Sequence, residues 1–369
     1  MTSVTSRAGP RARRTRRALP LVLAALVVLA AHPAPADEPA VFADAGDKAS
    51  LLVALDHQIA SLKRARASSY ALGGRSVSTA DLLRAARALR DLVREHYGTP
   101  EFADELRRRF DLVPVTPTDR PGLVTGYFVP ELRASAVPTL AFRYPIHGLP
   151  SESRVRGAVG PTREQIDRGA LAGRGLEVAW TDDPLALFWL HVQGSGVLVF
   201  PDGSRRTAHY AGDNGRPYVS IAATLVAEGR LTLEQADLPG VETYLRAHPG
   251  EMIEVLRRNP RYIFFSLDRE PARGAGNIPL TPMRSVAADL SVLPLGCVGY
   301  LDYSTPAWDE KGERLPDART GRFVVVQDTG AAIQGPGRID LFTGFGEEAR
   351  RLAGVLRHPG TVYVLLSKP

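Results

Sequence analysis

The sequence predicts a mainly β fold with helices at its N-terminal end, arranged as barrels and not as a doubly wound sheet. Three observations lead there. Before Leu123, apolar residues recur at helical spacing. From Leu123 onward, short β-branched and aromatic runs alternate with Gly, Pro and Asp turns. The runs are irregularly spaced and few are joined by βαβ units, which disfavours a parallel open sheet.

The first 36 residues stand apart from the fold. Six arginines between Arg7 and Arg17 precede an apolar run from Leu19 to Ala31, followed by Ala34-Pro35-Ala36. This is the order of a secretory signal peptide, and the apolar run is too short for a membrane span. Thr15-Arg16-Arg17 has the outline of a twin-arginine signal. The segment holds six arginines and no acid, so its removal takes the formal charge of +6 to zero. The basic surplus therefore belongs to targeting and gives no support for a nucleic-acid partner. The single cysteine, Cys297, lies in an apolar stretch and reads as a buried small hydrophobe. None follows the apolar run to carry a lipid, and no intrachain disulfide can form.

In the mature chain, Leu51, Leu52, Leu55, Ile59 and Leu62 follow Asp47 with helical spacing. Leu82, Leu83, Ala86, Leu89 and Val93 do the same after the capping residues Ser78 and Thr79. Thr99-Pro100-Glu101 opens a third, short helix. The strand-like runs are 123–129, 187–192, 197–200, 261–265, 323–326 and 361–366, with Pro201-Asp202-Gly203-Ser204 as a hairpin turn. Helical patches interrupt at 221–227, 252–258 and 347–356, and loops rich in Pro, Gly and charge at 133–138, 269–279 and 309–320.

The densest chemistry lies in Asp328-Thr-Gly-Ala-Ala-Ile-Gln-Gly-Pro-Gly-Arg-Ile-Asp340. The run Phe323–Val326 delivers Asp328 to a strand end, and Asp340 sits on the segment that follows. Carboxylates at a buried edge cost free energy unless paired, hydrogen-bonded or protonated, which makes the pair a candidate acid/base site. A strand–turn with two capping aspartates explains the same residues. An aspartic protease also begins Asp-Thr-Gly, but this chain has no second Asp-Thr/Ser-Gly, and 41 residues follow Asp328.

Gln193-Gly194-Ser195-Gly196 breaks an apolar stretch and offers backbone N–H groups, without the spacing of a nucleotide loop. Tyr210-Ala-Gly-Asp-Asn214-Gly-Arg-Pro-Tyr218 and Thr125-Gly-Tyr127-Phe128 combine rings with amide or hydroxyl groups, as sugar binding requires; packing explains each of them as well. The eight histidines show no metal spacing, no Gly-x-Ser-x-Gly elbow occurs, and no cofactor motif is present.

Taken together these segments resemble the family of membrane-bound lytic murein transglycosylase A. The resemblance rests on Thr125-Gly-Tyr127-Phe128-x-Pro130, Thr162-Arg163-Glu164-x-Ile166-x-x-Gly169-Ala170-Leu171, Val192-Gln193-Gly194-Ser195-Gly196 and Tyr210-Ala-Gly-x-Asn214-Gly215. It continues through Asn259-Pro260 with Phe264-Phe265 and ends in three aspartates, Asp289, Asp328 and Asp340, with Gly344-x-Gly346-x-Glu348-Ala349 and Ala353-Gly354 beyond them. Phe128 stands where the family pattern has Tyr, and the loop Gly335-Pro-Gly-Arg338 carries one residue more.

The resemblance implies a double-psi β-barrel domain, discontinuous in sequence, and a second, smaller barrel, with a groove between them. The boundaries would be 1–36 for the signal, 37–129 for the helical part and first barrel segment, 130–267 for the insertion, and 268–369 for the three-aspartate segment. It also implies the reaction: cleavage of the β-1,4 bond between N-acetylmuramic acid and N-acetylglucosamine by an exo-acting lyase. The muramyl C6 hydroxyl attacks C1 and leaves a 1,6-anhydro end. Asp340 would be the acid/base residue with Asp328 beside it. Thr125, Tyr127, Gln193, Gly194, Ser195, Tyr210, Asn214 and Asp289 would bind substrate. Metal and cofactor are absent from this expectation, and the partner is the peptidoglycan glycan strand. No cell-wall synthesis or division protein is identified as a partner.

Two other readings remain at this point: a peptidoglycan hydrolase using two carboxylates, and a non-catalytic glycan-binding wall protein. The leader places the mature protein in the periplasm, soluble or associated with the outer membrane, with no integral membrane segment. The expected outcome is a secreted form beginning at Asp37 with an unmodified mass. Recovery of an acylated form from detergent extracts, read by intact-mass spectrometry, would overturn this.

Overall fold

The computed structural model describes residues 42–116, 121–154, 159–309 and 313–368; the predicted signal, 1–36, lies outside them. In chain order the elements are α1 (Lys48–Leu62), β1 (Ser69–Leu72), β2 (Arg75–Ser78), α2 (Thr79–His96), α3 (Phe102–Arg109), β3 (Phe110–Val115) and β4 (Gly122–Val129). Then follow β5 (Glu131–Ser135), β6 (Tyr144–His147), α4 (Arg163–Asp167), β7 (Glu177–Thr181), α5 (Pro184–Gln193), β8 (Gly196–Val199) and β9 (Arg205–Asp213). The chain continues through α6 (Ile221–Ala227), α7 (Leu238–Ala247), α8 (Pro249–Arg257) and β10 (Ile263–Asp268). It closes with β11 (Ser285–Ala288), β12 (Val298–Trp308), β13 (Arg314–Asp328), β14 (Arg338–Phe345), α9 (Gly346–Val355) and β15 (Arg357–Ser367).

The strands β12-β13-β11-β14-β4-β15 form a six-stranded ring, closed because β15 pairs back onto β12, with Gly299 opposite Val364; β3 extends it from β15. A closed ring leaves no bare edge among its members. The barrel expectation from irregular strand spacing is met here. A second sheet runs β10-β9-β8-β5-β7-β6. The ring's β4 continues through Pro130 into β5 of this sheet, and β10 ends shortly before β11, so the chain leaves one sheet and returns to it.

The predicted N-terminal helices form where their caps stand. Asp47 accepts from Ser50 N, and Ser78 and Asp81 make a reciprocal capping box. Their apolar stripes, Leu51, Leu55, Leu89, Leu92 and Val93, are buried in one core with Val324, Val325 and Tyr363 of the ring. Burial of each such side chain is worth about 1.5–3 kcal/mol. Cys297 lies in the same core, 1% exposed, its thiol pushed up to about 12 by burial.

Three readings of local structure are corrected. Residues 187–192 are helix, not strand. Asp183 accepts from the N–H groups of Leu185 and Ala186, Pro184 opens the helix, and Gly194 (φ +80) ends it in the left-handed conformation. The run is apolar all round because it packs on two sides, so it carries no period. Residues 133–135 belong to β5, not to a loop. Residues 314–320 are strand: the β12–β13 ladder continues with Tyr303 opposite Thr320 and Thr305 opposite Ala318, held by backbone hydrogen bonds despite exposed side chains.

Arg284, entirely buried, joins the helices to the ring. Its guanidinium donates to both carboxylate oxygens of Asp44 at 2.8 Å, to Ser50 Oγ (3.0 Å), to Asp47 O (2.9 Å) and to Phe323 O of β13 (3.0 Å). A Cβ on Gly46 would lie 2.0 Å from the guanidinium, so a side chain there would have to displace Arg284 from its bonds. Removing one partner of a buried pair strands the other's charge. Asp44→Ala is expected to cost about 3–5 kcal/mol in urea unfolding, and a loss below 1 kcal/mol would show that the pair is not structural.

Candidate active site

A groove of about 1080 Å³ is lined by residues of both sheets, among them Tyr127, Gln193, Gly194, Ser195, Tyr210, Asp328 and Asp340. Register brings its acids together. Asp340 on β14 lies opposite Thr125 on β4 and opposite Ala287 on β11, and Ala287 in turn lies opposite Asp328 on β13. The four residues form one row across four strands. At normal strand spacing the two aspartate backbones stand roughly 10 Å apart.

Each carboxyl is held differently. Asp328 Oδ1 accepts from the backbone N–H groups of Ala275 (2.8 Å) and Thr329 (2.9 Å), and Oδ2 from the Tyr127 hydroxyl (3.0 Å). Asp340 Oδ1 accepts from the Thr125 hydroxyl at 2.5 Å. Thr125 Oγ1 accepts in turn from Arg338 Nη1 at 2.8 Å, and the same guanidinium nitrogen reaches Ile339 O at 2.9 Å. Both carboxyls open onto the groove yet lie deep among protein atoms.

That desolvation is the main cause of their raised pKa values. Asp328 is pushed up to about 6 by burial, against its hydrogen bonds; the charge of Asp340 adds a smaller upward push. Asp340 is raised by burial, opposed by the Arg338 charge and the Thr125 hydrogen bond. The Tyr127 hydroxyl is held well above its ordinary range by burial and then by Asp328. A protonated carboxyl at a groove wall can donate a proton, and the same groups that oppose protonation stabilise the carboxylate left behind.

Gln193, the last residue of α5, accepts from Phe128 N through Oε1 (3.2 Å), which leaves its amide N–H₂ for the groove. Tyr210 is half exposed, with its hydroxyl on Asp213 (2.6 Å). Phe128 itself is buried against Ala349 and Ala353.

Three residues expected to bind substrate do not line the groove: Thr125, which stands against Asp340, Asn214 and Asp289. Asn214 is 1% exposed, and its amide is consumed by Pro161 O, Pro260 O, Tyr262 N and Arg216 N. Asp289 accepts from Ser291 and, through Oδ2, from Gly335 N (2.7 Å); the Gly335 bond is the main cause of its lowered pKa. It thereby ties down the turn between the other two aspartates.

Several residues that line the groove are not among the expected site residues: Arg338, Arg163, His191, Tyr218 and His209. Arg338 had a legible signal: it precedes Asp340 by two residues on a strand, so both face one side. Arg163 and Tyr218 lie in the motifs at 162–171 and 210–218, whereas His191 and His209 come from distant segments and carry no local signal. Among the described residues no helix is long and apolar enough to cross a membrane.

Comparison with known proteins agrees with this architecture. The MltA specific insert domain matches residues 123–266 and the 3D domain residues 284–366. Membrane-bound lytic murein transglycosylase A of Vibrio cholerae is 35% identical over 246 residues, 66% of this chain and 65% of that protein. The Escherichia coli K12 protein of the same name is 34% identical over 248 residues, 66% of each. The match thus spans just under two thirds of these curated relatives. Among solved structures, a membrane-bound lytic murein transglycosylase from Agrobacterium tumefaciens superposes with a TM-score of 0.72 at 30% identity, covering 87% of this chain and 93% of its own. E. coli MltA with bound chitohexaose gives 0.75 at 27% identity, covering 90% and 93%.

The raised Asp328 carboxyl has a stability consequence. Its folded-state pKa exceeds the unfolded one, so the folded protein binds the proton more tightly and loses stability as pH rises from about 4 to about 6. Asn in its place keeps the same acceptor oxygen and removes this loss. Relative to wild type, Asp328→Asn should gain up to about 3 kcal/mol between pH 4 and pH 7 in urea unfolding. A difference that stays flat across that range would refute the assignment.

Proposed function

The chain belongs to the family of membrane-bound lytic murein transglycosylase A, and from that membership and the carboxyls in its groove we propose that it cleaves peptidoglycan glycan strands as a lytic transglycosylase. The observation that carries this reading is Asp340: one carboxyl at the wall of a long groove, favoured in its protonated form by burial, yet backed by a hydroxyl and a guanidinium suited to its ionised form. The groove exceeds what a single small ligand needs, and a structural relative holds chitohexaose.

In this mechanism Asp340 donates its proton to the glycosidic oxygen as the C1–O bond breaks. The C6 hydroxyl of the muramyl residue then bonds to C1 and returns its proton to the Asp340 carboxylate. One carboxyl serves both steps, atoms balance without water, and the product is a 1,6-anhydromuramyl end. Asp328, fixed by Tyr127 and two backbone N–H groups, places a second negative charge near the positive charge that develops at C1. Tyr127, Gln193, Gly194, Ser195 and Tyr210 hold the glycan. Thr125 acts on Asp340, while Asn214 and Asp289 shape the loops behind. The division at 129/130 and 267/268 assigns the two walls of the groove to the two domains.

A second reading has one observation in its favour. With a pKa of about 6, Asp328 can also act as a base toward water, which would make the protein a hydrolase with two carboxylates.

Mass spectrometry of digested sacculi separates the readings. Transglycosylation yields muropeptides lighter by one water than hydrolytic products, with no heavy oxygen taken from labelled water; incorporation at the reducing end establishes hydrolysis instead. Asp340→Asn is expected to lose about 10²–10⁴-fold in turnover or more while retaining glycan binding. Near wild-type cleavage by that variant removes Asp340 from the mechanism. Binding to sacculi with no soluble product from the wild type would leave a glycan-binding protein.

A further inference from the structure

The hydrogen-bond row behind Asp340 is directional, and its direction follows from counting donors. A threonine hydroxyl has one proton to give and two lone pairs to accept with. Thr125 Oγ1 meets Arg338 Nη1 at 2.8 Å and Asp340 Oδ1 at 2.5 Å. Arg338 is always a donor, because a guanidinium has no acceptor. The Thr125 proton therefore points at Asp340 Oδ1. If Oδ1 carried the acid proton, the Thr125 hydroxyl would be left without an acceptor among the described residues. An unmade bond at a desolvated position costs about 1–3 kcal/mol.

We propose that Arg338 is a positioning residue which, through Thr125, confines the acid proton of Asp340 to Oδ2, the oxygen to which no group donates among the described residues. The inference rests on the reading of Asp340 as the acid. The geometry makes Oδ1 a permanent acceptor in both halves of the reaction. The proton leaves from Oδ2 and returns to Oδ2, so the carboxyl need not rotate between the two steps. Arg338 contributes charge without competing for the proton: among the described residues it forms no ion pair with a carboxylate within 4.0 Å, and its Nη1 is spent on Thr125 and Ile339 O.

The surroundings of Asp340 identify what else acts on it. Across β4 lie Thr125 and Tyr127; across β11 the neighbour is the uncharged Ala287; on β13 beyond it is Asp328. Arg357 of β15 lies opposite Thr125. Asp328 and Tyr127 are bound to each other, and Arg357 is one strand further away. Arg338 is the only cation on the strand of Asp340 itself that also lines the groove, as far as the described residues show.

The test combines a titration that needs no turnover with a pH profile that does. Difference infrared spectra of wild type against Asp340→Asn isolate the protonated carboxyl band of Asp340 and give its midpoint. In Arg338→Met and in Thr125→Val that midpoint should move up by about one pH unit and the band position should change. In Arg338→Lys and Thr125→Ser both should return toward wild type. The descending high-pH limb of kcat/KM should follow the same order, with kcat lowered about tenfold or more in the first two variants. The conservative pair keeps the test valid if Arg338→Met or Thr125→Val does not fold. A midpoint and band unchanged in Arg338→Met, or one that moves in Thr125→Val alone, overturns the inference. Full activity of Asp340→Asn instead overturns the acid role, and the infrared midpoints still decide whether Arg338 acts on Asp340 through Thr125.

Discussion

The buried guanidinium of Arg284 is the constraint on which the rest depends. It immediately precedes β11, the short strand between the two strands that carry Asp328 and Asp340. Five hydrogen bonds tie it to the Asp44 carboxylate, to the first turn of α1 and to β13. β11 is four residues long and can hold its register by ladder bonds only weakly. A one-residue slip would turn Ala287 to the other face and separate the acids from their row. A buried ion pair is seldom a net source of stability, because desolvation offsets the attraction. Its value here is in location: a charge that can be satisfied in one place sets the strand beside it.

The same physics reappears at the groove with the opposite use. At Arg284 a buried charge is satisfied completely. At Asp340 it is satisfied in part, by one hydroxyl and one charge held at a distance, so that the protonated form gains without the ionised form becoming inaccessible. Asp328 shows an intermediate balance, with three hydrogen bonds working against burial and leaving its pKa near 6. Asp289 completes the series: with Gly335 and Ser291 donating to it at a more open position, it stays ionised and serves as an anchor. Three aspartates thus meet three different surroundings, and these, not the residue type, set how readily each one ionises.

The helical N-terminal part, which carries little of the resemblance, is as much a part of this construction as the barrel. Its caps and stripes were readable because they are local. Asp47 and Ser78 stand where helices begin, and their leucines repeat at helical spacing. The run 187–192 was not readable, because a helix packed on two sides loses its period. Its best clue was Asp183-Pro184 before it and Gly194 after it. The arm 314–320 hid for the opposite reason: its strand is held by backbone bonds that no side-chain pattern reports.

The sequence by itself determined the class of the fold and the N-terminal helices, since these rest on periodicity, capping and turn chemistry, and its motifs carried the resemblance that singles out the three aspartates. It also carried Arg338, two residues before Asp340 on the same strand face. Tertiary structure alone decided that Asp328 and Asp340 share a row through Ala287, and that Thr125 stands between Arg338 and Asp340 from more than two hundred residues away in the chain. It alone turned Asn214 inward and Asp289 toward the turn. Protonation depends on how many protein atoms surround a carboxyl and which donors reach it, and those neighbours come from strands that meet only when the ring closes.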